Sequence, residues 1–167
     1  GGHPEWHFKQ DVFEVLSMGW DMMIAFPPCT YISSAGLHWC KNNPSRSAQR
    51  DEGLKFLISL YNQPISKIAI ENPVGYANTN FRAPNQIIQP FYFGDPHLKT
   101  TCLWLKGLKR LNGLVSVGIN PRAHRPEPLS IDSTGKKRYF VDSKLRKSID
   151  RSKTFPGIAK AMAEQWG

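Results

Sequence analysis

The stretch DMMIAFPPCT, residues 21–30, decides the fold of this 167-residue chain. Its apolar run from Asp21 to Phe26 ends in Pro27-Pro28, and this pattern predicts a buried strand that leads into a rigid loop. A second apolar run, KIAIE at Lys67–Glu71, is also followed by a proline-containing loop. The two runs therefore predict two neighbouring strands with a loop after each.

Helical periodicity fills the interval between these strands. Residues Ser47–Asn62 carry apolar side chains on one helical face. Shorter helices are predicted at Val12–Met18 and, after Pro156, at Gly157–Trp166. Thr101–Leu105 forms a third apolar run. The order strand, helix, strand with buried apolar strands predicts an α/β fold with a mostly parallel sheet flanked by helices.

The two strand ends carry side chains that can do chemistry. In an open parallel sheet, ligands bind beyond the carboxyl ends of the strands, so we expect Cys29 and Glu71 to face one cleft. Cys29, on a turn made rigid by two prolines, is a candidate nucleophile, and Glu71 is a candidate acid or hydrogen-bond anchor. A plainer interpretation is that Cys29 is a small buried hydrophobe and Glu71 caps a loop.

Positive charge is concentrated in one part of the chain. The net charge is +9, and residues 97–153 hold 14 Lys/Arg against 4 Asp/Glu, whereas the remainder holds 8 against 9. This basic surface is either a solvated face or a footprint for a phosphate backbone. We predict a core at residues 1–112, a basic loop region at 113–151 with one strand near Arg138–Val141, and a C-terminal helix at 152–167 packed on the core. Candidate DNA contacts are Lys99, Lys136, Lys137 and Arg138.

Other classes of protein are disfavoured by the composition. No stretch approaches the ~20 apolar residues that span a bilayer. Three cysteines at irregular spacing do not form a disulfide framework, and a reducing compartment suits them. Cys29, His38 and Cys40 lie close together, but their spacing fits no zinc pattern and a fourth ligand is missing, so we predict no metal site.

Pro27-Pro28-Cys29-Thr30 is followed, 42 residues after the cysteine, by Glu71-Asn72-Pro73, and this arrangement resembles the cytosine-C5 DNA methyltransferase family. That family has a Pro-Cys nucleophile loop and a Glu-Asn pair at the end of the next strand. The overall shape is most similar to its short phage and prophage members. Weaker similarity extends to Asp11-Val12, Lys99–Trp104 and Arg151–Ala161.

The resemblance implies a Rossmann-like methyltransferase fold that transfers a methyl group from S-adenosylmethionine to C5 of a flipped cytosine. Cys29 would attack C6 as the covalent catalyst, and Glu71 would hydrogen-bond N3 and the exocyclic amine. Asn72 would hold the loop, and Pro28 would aim the thiol. The implied cofactor contacts are Asp11, Pro27 and Gly157.

Methyltransferases that modify amino groups are the nearest competing class. Their loop has Asp, Asn or Ser, then two prolines and an aromatic residue, and its first residue accepts a hydrogen bond from the target amine. The corresponding first residue here is Phe26, which cannot accept a hydrogen bond, and the fourth is Cys29. The loop therefore favours reaction at C5.

The family pattern also requires segments that we do not find. Its opening strand with a Gly-rich turn, and its second strand with a ribose-binding acid, should precede Asp11, and only ten residues do so. We therefore expect a fold that lacks its first strands, weak or no binding of S-adenosylmethionine, and a homodimer formed through the truncated side of the sheet.

Double-stranded DNA is the expected partner, and the cytoplasm of a bacterium or phage-infected host is the expected location. Residues 113–151 are long enough for only a small target-recognition element. A hypothesis of a different class stays open: a non-catalytic nucleic-acid-binding module derived from the same fold.

Overall fold

Helices flank a four-stranded sheet in the computed structural model. The structure describes residues 5, 7–114, 125, 127–128, 130–138 and 154–167. The sheet contains β1 (Met22–Ala25), β2 (Lys67–Pro73), β3 (Gln86–Ile88) and β4 (Thr101–Lys106), and a separate hairpin contains β5 (Ser130–Ile131) and β6 (Lys137–Arg138). The helices are α1 (Val12–Leu16), α2 (Ser34–Leu37), α3 (Pro44–Tyr61), α4 (Tyr76–Asn80) and α5 (Pro156–Trp166). Two 3-10 turns lie at His38–Cys40 and Pro90–Phe93.

The sheet is mixed, with strand order β1-β2-β4-β3. β1 and β2 are parallel, as predicted, but β4 runs antiparallel to both β2 and β3. The prediction of a mostly parallel sheet is therefore wrong. Pro73 pairs with Thr101, so β4 begins beside the end of β2. A parallel β4 would require a crossover connection back to the start of β2, whereas the segment between them forms α4 and β3 instead.

Strand β3 was not predicted because it is too short to produce a pattern. It has three residues, and the middle one, Ile87, is 52% exposed. Buried strands are recognised as apolar runs of about four to eight residues, and alternation over three residues carries little signal.

The predicted helices exist, with shifted ends. Helix α3 begins at Pro44 rather than Ser47, because the Asn43 side chain caps it by accepting a hydrogen bond from the Arg46 backbone N–H at 3.1 Å. Of the strand predicted at Arg138–Val141, only Arg138 lies within the described residues, where it belongs to β6. Most of the predicted basic loop region, residues 113–151, lies outside them.

Two apolar clusters pack on opposite faces of the sheet. On one face, Leu57 of α3 packs with Ile68 and Ile70 of β2. On the other, Ile158 and other residues of α5 pack with Ala69 of β2. Alternate side chains of β2 therefore enter different clusters, which gives three layers: α3, the sheet and α5.

Strand β1 lies at an edge of the four-stranded sheet. Several large apolar side chains before and after it are exposed: Phe8, Val12, Phe13, Met18, Trp20 and Phe26. Exposed strand edges with apolar neighbours are usually covered by another segment or chain. Self-association through this side stays a prediction. No helix in the described part of the chain has the length and apolar character needed to cross a membrane.

Leu57→Ala should destabilise the protein by about 2–5 kcal/mol, because the side chain is fully buried between α3 and the sheet and its removal leaves a cavity. Urea denaturation followed by circular dichroism measures the change. Ile87→Ala is the control at an exposed position, where a change of about 0.5 kcal/mol or less is expected. Equal effects of the two substitutions would contradict the assignment of Leu57 to the core.

Candidate active site

The loop after β1 presents Cys29 at the surface. Pro27 is buried, whereas Pro28, Cys29 and Thr30 are exposed. The backbone N–H of Ser33 donates to the Cys29 carbonyl at 2.9 Å and closes a tight turn. The thiol is therefore held on a structured turn at the carboxyl end of β1.

Asn72 joins this loop to the end of the next strand. Its side chain is 1% exposed, and its Nδ2 donates a hydrogen bond to the Pro27 carbonyl at 2.8 Å. An isolated proline carbonyl in the interior would be costly to bury, so this bond fixes the spacing between the two strand ends.

A second pair of bonds links the segments that follow. Ser34 N donates to the Val74 carbonyl at 2.9 Å, and Tyr76 N donates to the Ile32 carbonyl at 2.7 Å. The two backbones approach so closely at Gly75 that a Cβ there would lie 2.0 Å from the Ile32 oxygen. Only glycine is compatible with this contact, and the loops after β1 and β2 therefore form one unit.

These loops enclose a cavity of about 310 Å³ that contains the predicted reactive pair. Cys29 and Glu71 both line it, which confirms the prediction that the two strand ends converge. The other lining residues come from the same two loops, from the start of β4 and from the start of α5: Phe26, Pro27, Pro28, Thr30, Asn72, Pro73, Lys99, Thr101, Thr154, Phe155 and Ile158.

Glu71 is mostly buried in this cavity. Burial raises the pKa of its carboxyl group, and the positive charge of Lys99 opposes that rise. A raised pKa keeps the carboxyl protonated over a wider pH range, and a protonated carboxyl donates a hydrogen bond as well as accepting one. The cavity therefore offers a thiol, a carboxyl group and a cation.

The other two cysteines are structural. Cys40 and Cys102 are buried, whereas Cys29 is exposed. Burial raises the pKa of the Cys102 thiol, although a hydrogen bond from Asn78 Nδ2 to its Sγ, at 3.3 Å, acts in the opposite direction. Buried neutral thiols are poor nucleophiles.

The segment at the start of α5 closes one side of the cavity through Thr154 and Phe155. Neither residue was predicted individually, although both lie in Arg151–Ala161, a segment with weaker similarity to the family. Phe155 is flanked by His97, with ring centroids 5.0 Å apart, and by the Lys99 ammonium at 5.9 Å. The Gly157 backbone N–H donates to Asp95 Oδ2 at 2.8 Å. Gly157 thus anchors α5 but does not itself line the cavity.

Asp11, Lys136 and Lys137 do not line the cavity. Asp11 is exposed and caps α1, with its Oδ1 accepting from Phe13 N at 2.8 Å. Lys136 and Lys137 are exposed at the β5–β6 hairpin, and the side chain of Arg138 lies outside the described residues. Of the predicted DNA contacts whose side chains the structure describes, Lys99 alone lines the cavity.

Comparison with known proteins adds no relative: no family model, curated protein or solved structure matches the chain. Within the described ranges, no group of three or more His, Cys, Asp or Glu side chains is arranged to hold a metal ion.

In the folded protein, Cys29 should react first with an alkylating reagent, because it is exposed while Cys40 and Cys102 are buried. Mass spectrometry of peptides after brief treatment with iodoacetamide measures the order. Cys29→Ala should remove the fast-reacting thiol, and urea should make the other two reactive. Fast labelling of Cys102 in the native protein would contradict this arrangement.

The raised pKa of Glu71 makes stability depend on pH. Its contribution is fully present below the pKa of an unfolded glutamate and is lost as pH rises through the folded value. The unfolding free energy of the wild type should therefore fall relative to Glu71→Gln as the pH rises above about 4, the pKa of an unfolded glutamate. Urea titrations at each pH measure this difference.

Two further variants sharpen that experiment. Lys99→Ala should steepen the fall, since Lys99 lowers the pKa of Glu71. Glu52→Gln removes the same charge from an exposed position on α3 and is the matched control. If the difference in unfolding free energy between the wild type and Glu71→Gln stays constant over the pH range, Glu71 is not desolvated in the folded state.

Proposed function

We propose that this chain is a DNA cytosine-C5 methyltransferase-like domain, with a sheet related to the Rossmann-like methyltransferase fold. The observation that carries the proposal is the placement of Cys29 and Glu71 on the walls of one cavity, with Asn72 bonding the two strand ends together. The Pro-Cys and Glu-Asn segments that suggested the family are two of the segments that line this cavity.

The chemistry begins with the thiol. Cytosine C5 is a weak nucleophile, and addition of the Cys29 thiolate to C6 makes it a stronger one. A bond forms between the sulfur and C6, and the electron pair of the C5–C6 double bond shifts towards C5. The exposed position of Cys29 at the cavity wall suits this attack on a base placed inside the cavity.

Glu71 supports the same step from the other wall. A protonated carboxyl donates to N3, where negative charge develops, and its second oxygen accepts from the exocyclic amine. Burial raises the pKa of Glu71, which favours this protonated form. A cytosine can reach the two groups only after it leaves the duplex, and Lys99 at the cavity is suited to the phosphate of such a flipped nucleotide.

S-adenosylmethionine is the methyl donor that the resemblance implies, and the residues proposed to bind it do not form a pocket. Only Pro27 lines the cavity, while the Asp11 carboxylate caps α1 and the Gly157 N–H is bonded to Asp95. These three residues therefore do not form a site that fits the cofactor, and weak or absent binding of S-adenosylmethionine stays a prediction. The residues of this chain therefore account for the reaction only up to the activated base.

The activated base gives a test that needs no methyl donor. After Cys29 adds to C6, C5 accepts a proton from solvent. Loss of the original hydrogen from C5, followed by expulsion of the thiolate, restores cytosine. We expect the chain to release tritium from duplex DNA labelled at cytosine C5, as measured by scintillation counting of the solvent.

Two variants test the roles of the reactive pair. Cys29→Ala should reduce the release about 100-fold or more, because the nucleophile is lost. Glu71→Gln should reduce it about 100-fold, the lower part of the range for a general acid, and Glu52→Gln should leave it unchanged. Release that survives Cys29→Ala would overturn the proposal.

The non-catalytic alternative is supported by the basic residues at 97–153. It predicts duplex binding in which the logarithm of the affinity falls linearly with the logarithm of the salt concentration. This binding should survive Cys29→Ala, and no tritium should be released. Salt-dependent binding with no release, at any protein concentration tested, would therefore favour the binding module over the enzyme.

A further inference from the structure

Trp39 is the most exposed of the large hydrophobic side chains in the described residues, at 61%. It lies in the 3-10 turn His38–Cys40, within the connection from β1 to α3 that also contains Cys29. Tryptophan is highly buried on average in folded proteins. An indole exposed to this extent, ten residues after the reactive thiol, is a candidate contact surface.

The turn that presents Trp39 is anchored to the core. Cys40 is buried, and its carbonyl accepts hydrogen bonds from Asn43 N at 3.2 Å and from Ser47 Oγ at 3.1 Å. The His38 ring lies against the indole, with centroids 4.5 Å apart. The exposed face of Trp39 is therefore a preformed surface for stacking.

The segment of the chain that contains this turn is basic. Residues 29–50 contain Lys41, Arg46 and Arg50 but no Asp or Glu. Arg50 pairs with Asp51 at 2.8 Å. Within the described part of the chain, Lys41 and Arg46 have no carboxylate partner, and the buried Nε of Arg46 makes no hydrogen bond.

Arg46 also lies against an aromatic ring. Its guanidinium carbon is 5.1 Å from the centroid of the Tyr31 ring, which fixes the direction of this long side chain. Tyr31 follows Cys29 by two residues. Arg46 is thus connected to the reactive loop through direct packing.

We propose that Trp39 stacks on a base of the DNA strand that carries the target cytosine, and that Lys41 and Arg46 contact its phosphates. This inference rests on the function proposed above. When the cytosine leaves the duplex to enter the cavity, the adjacent bases lose a stacking partner. An exposed indole replaces such a partner whatever the base, and unpaired cations bind the backbone.

The proposal is tested by comparing two labelled DNA duplexes in fluorescence-anisotropy titrations. One duplex is fully paired, and the other has a cytosine opposite an abasic site, which leaves the bases beside it partly unstacked. The wild type should bind the second duplex more tightly. Trp39→Ala should weaken that binding about 5- to 150-fold, the range given by base–aromatic stacking, and Trp39→Phe should retain most of it.

Two controls separate stacking from general damage. Trp20→Phe changes another exposed tryptophan, at 44%, that precedes β1 at its opposite end from Cys29, and should bind like the wild type. Lys41→Ala should lower the slope of log affinity against log salt by about one unit. Circular dichroism of each variant verifies that it is folded.

The outcomes distinguish this inference from the proposed function. Suppose that the wild type binds DNA and releases tritium from cytosine C5, and that folded Trp39→Ala binds each duplex as tightly as the wild type does. The stacking proposal is then overturned and the function stands. If the wild type neither binds nor releases tritium, both fall. An unchanged salt slope in Lys41→Ala overturns its phosphate contact.

Discussion

A proline carbonyl in the interior of a protein must find a donor, and at the end of β1 that donor is the buried amide of Asn72. The bond joins two parallel strands just beyond their last paired residues, Ala25 and Ile70. The position of Cys29, two residues after Pro27, follows from it. So does the position of Glu71, which precedes Asn72 by one residue.

Cys29 and Glu71 could be predicted from the sequence because each lies next to a local signal for the end of a strand. An apolar run followed by prolines marks the end of a strand, and the residues next to those prolines must then lie at that end of the sheet. Cys29 and Glu71 satisfied this rule independently of any family, and the cavity contains both. This rule does not depend on the direction of β4, so the wrong prediction of a mostly parallel sheet did not affect it.

The remaining features depend on contacts between distant segments. The direction of β4 is set by how residues 74–100 return to the sheet, and an apolar run such as TCLWL has the same pattern in either direction. Lys99 was predicted as a DNA contact from its charge and from the family resemblance of its segment, but its place beside Glu71 depends on the direction of β4. Phe155 closes the cavity only because α5 packs on the sheet face formed by Ala69 and Leu103.

The antiparallel direction of β4 also affects the order in which the site can assemble. Antiparallel strands β2 and β4 bring Lys99 to Glu71 across 28 residues, and parallel strands β1 and β2 bring Cys29 to Glu71 across 42. The closing ring of Phe155 comes from 84 residues after Glu71. Contacts between such distant segments are slow to form because the entropy of a long loop is lost before the contact is made. A partly folded chain in which only β2 and β4 have paired would therefore hold the carboxyl group and the cation in an open, hydrated groove. The desolvated environment of Glu71 is then a property of the completely folded chain alone.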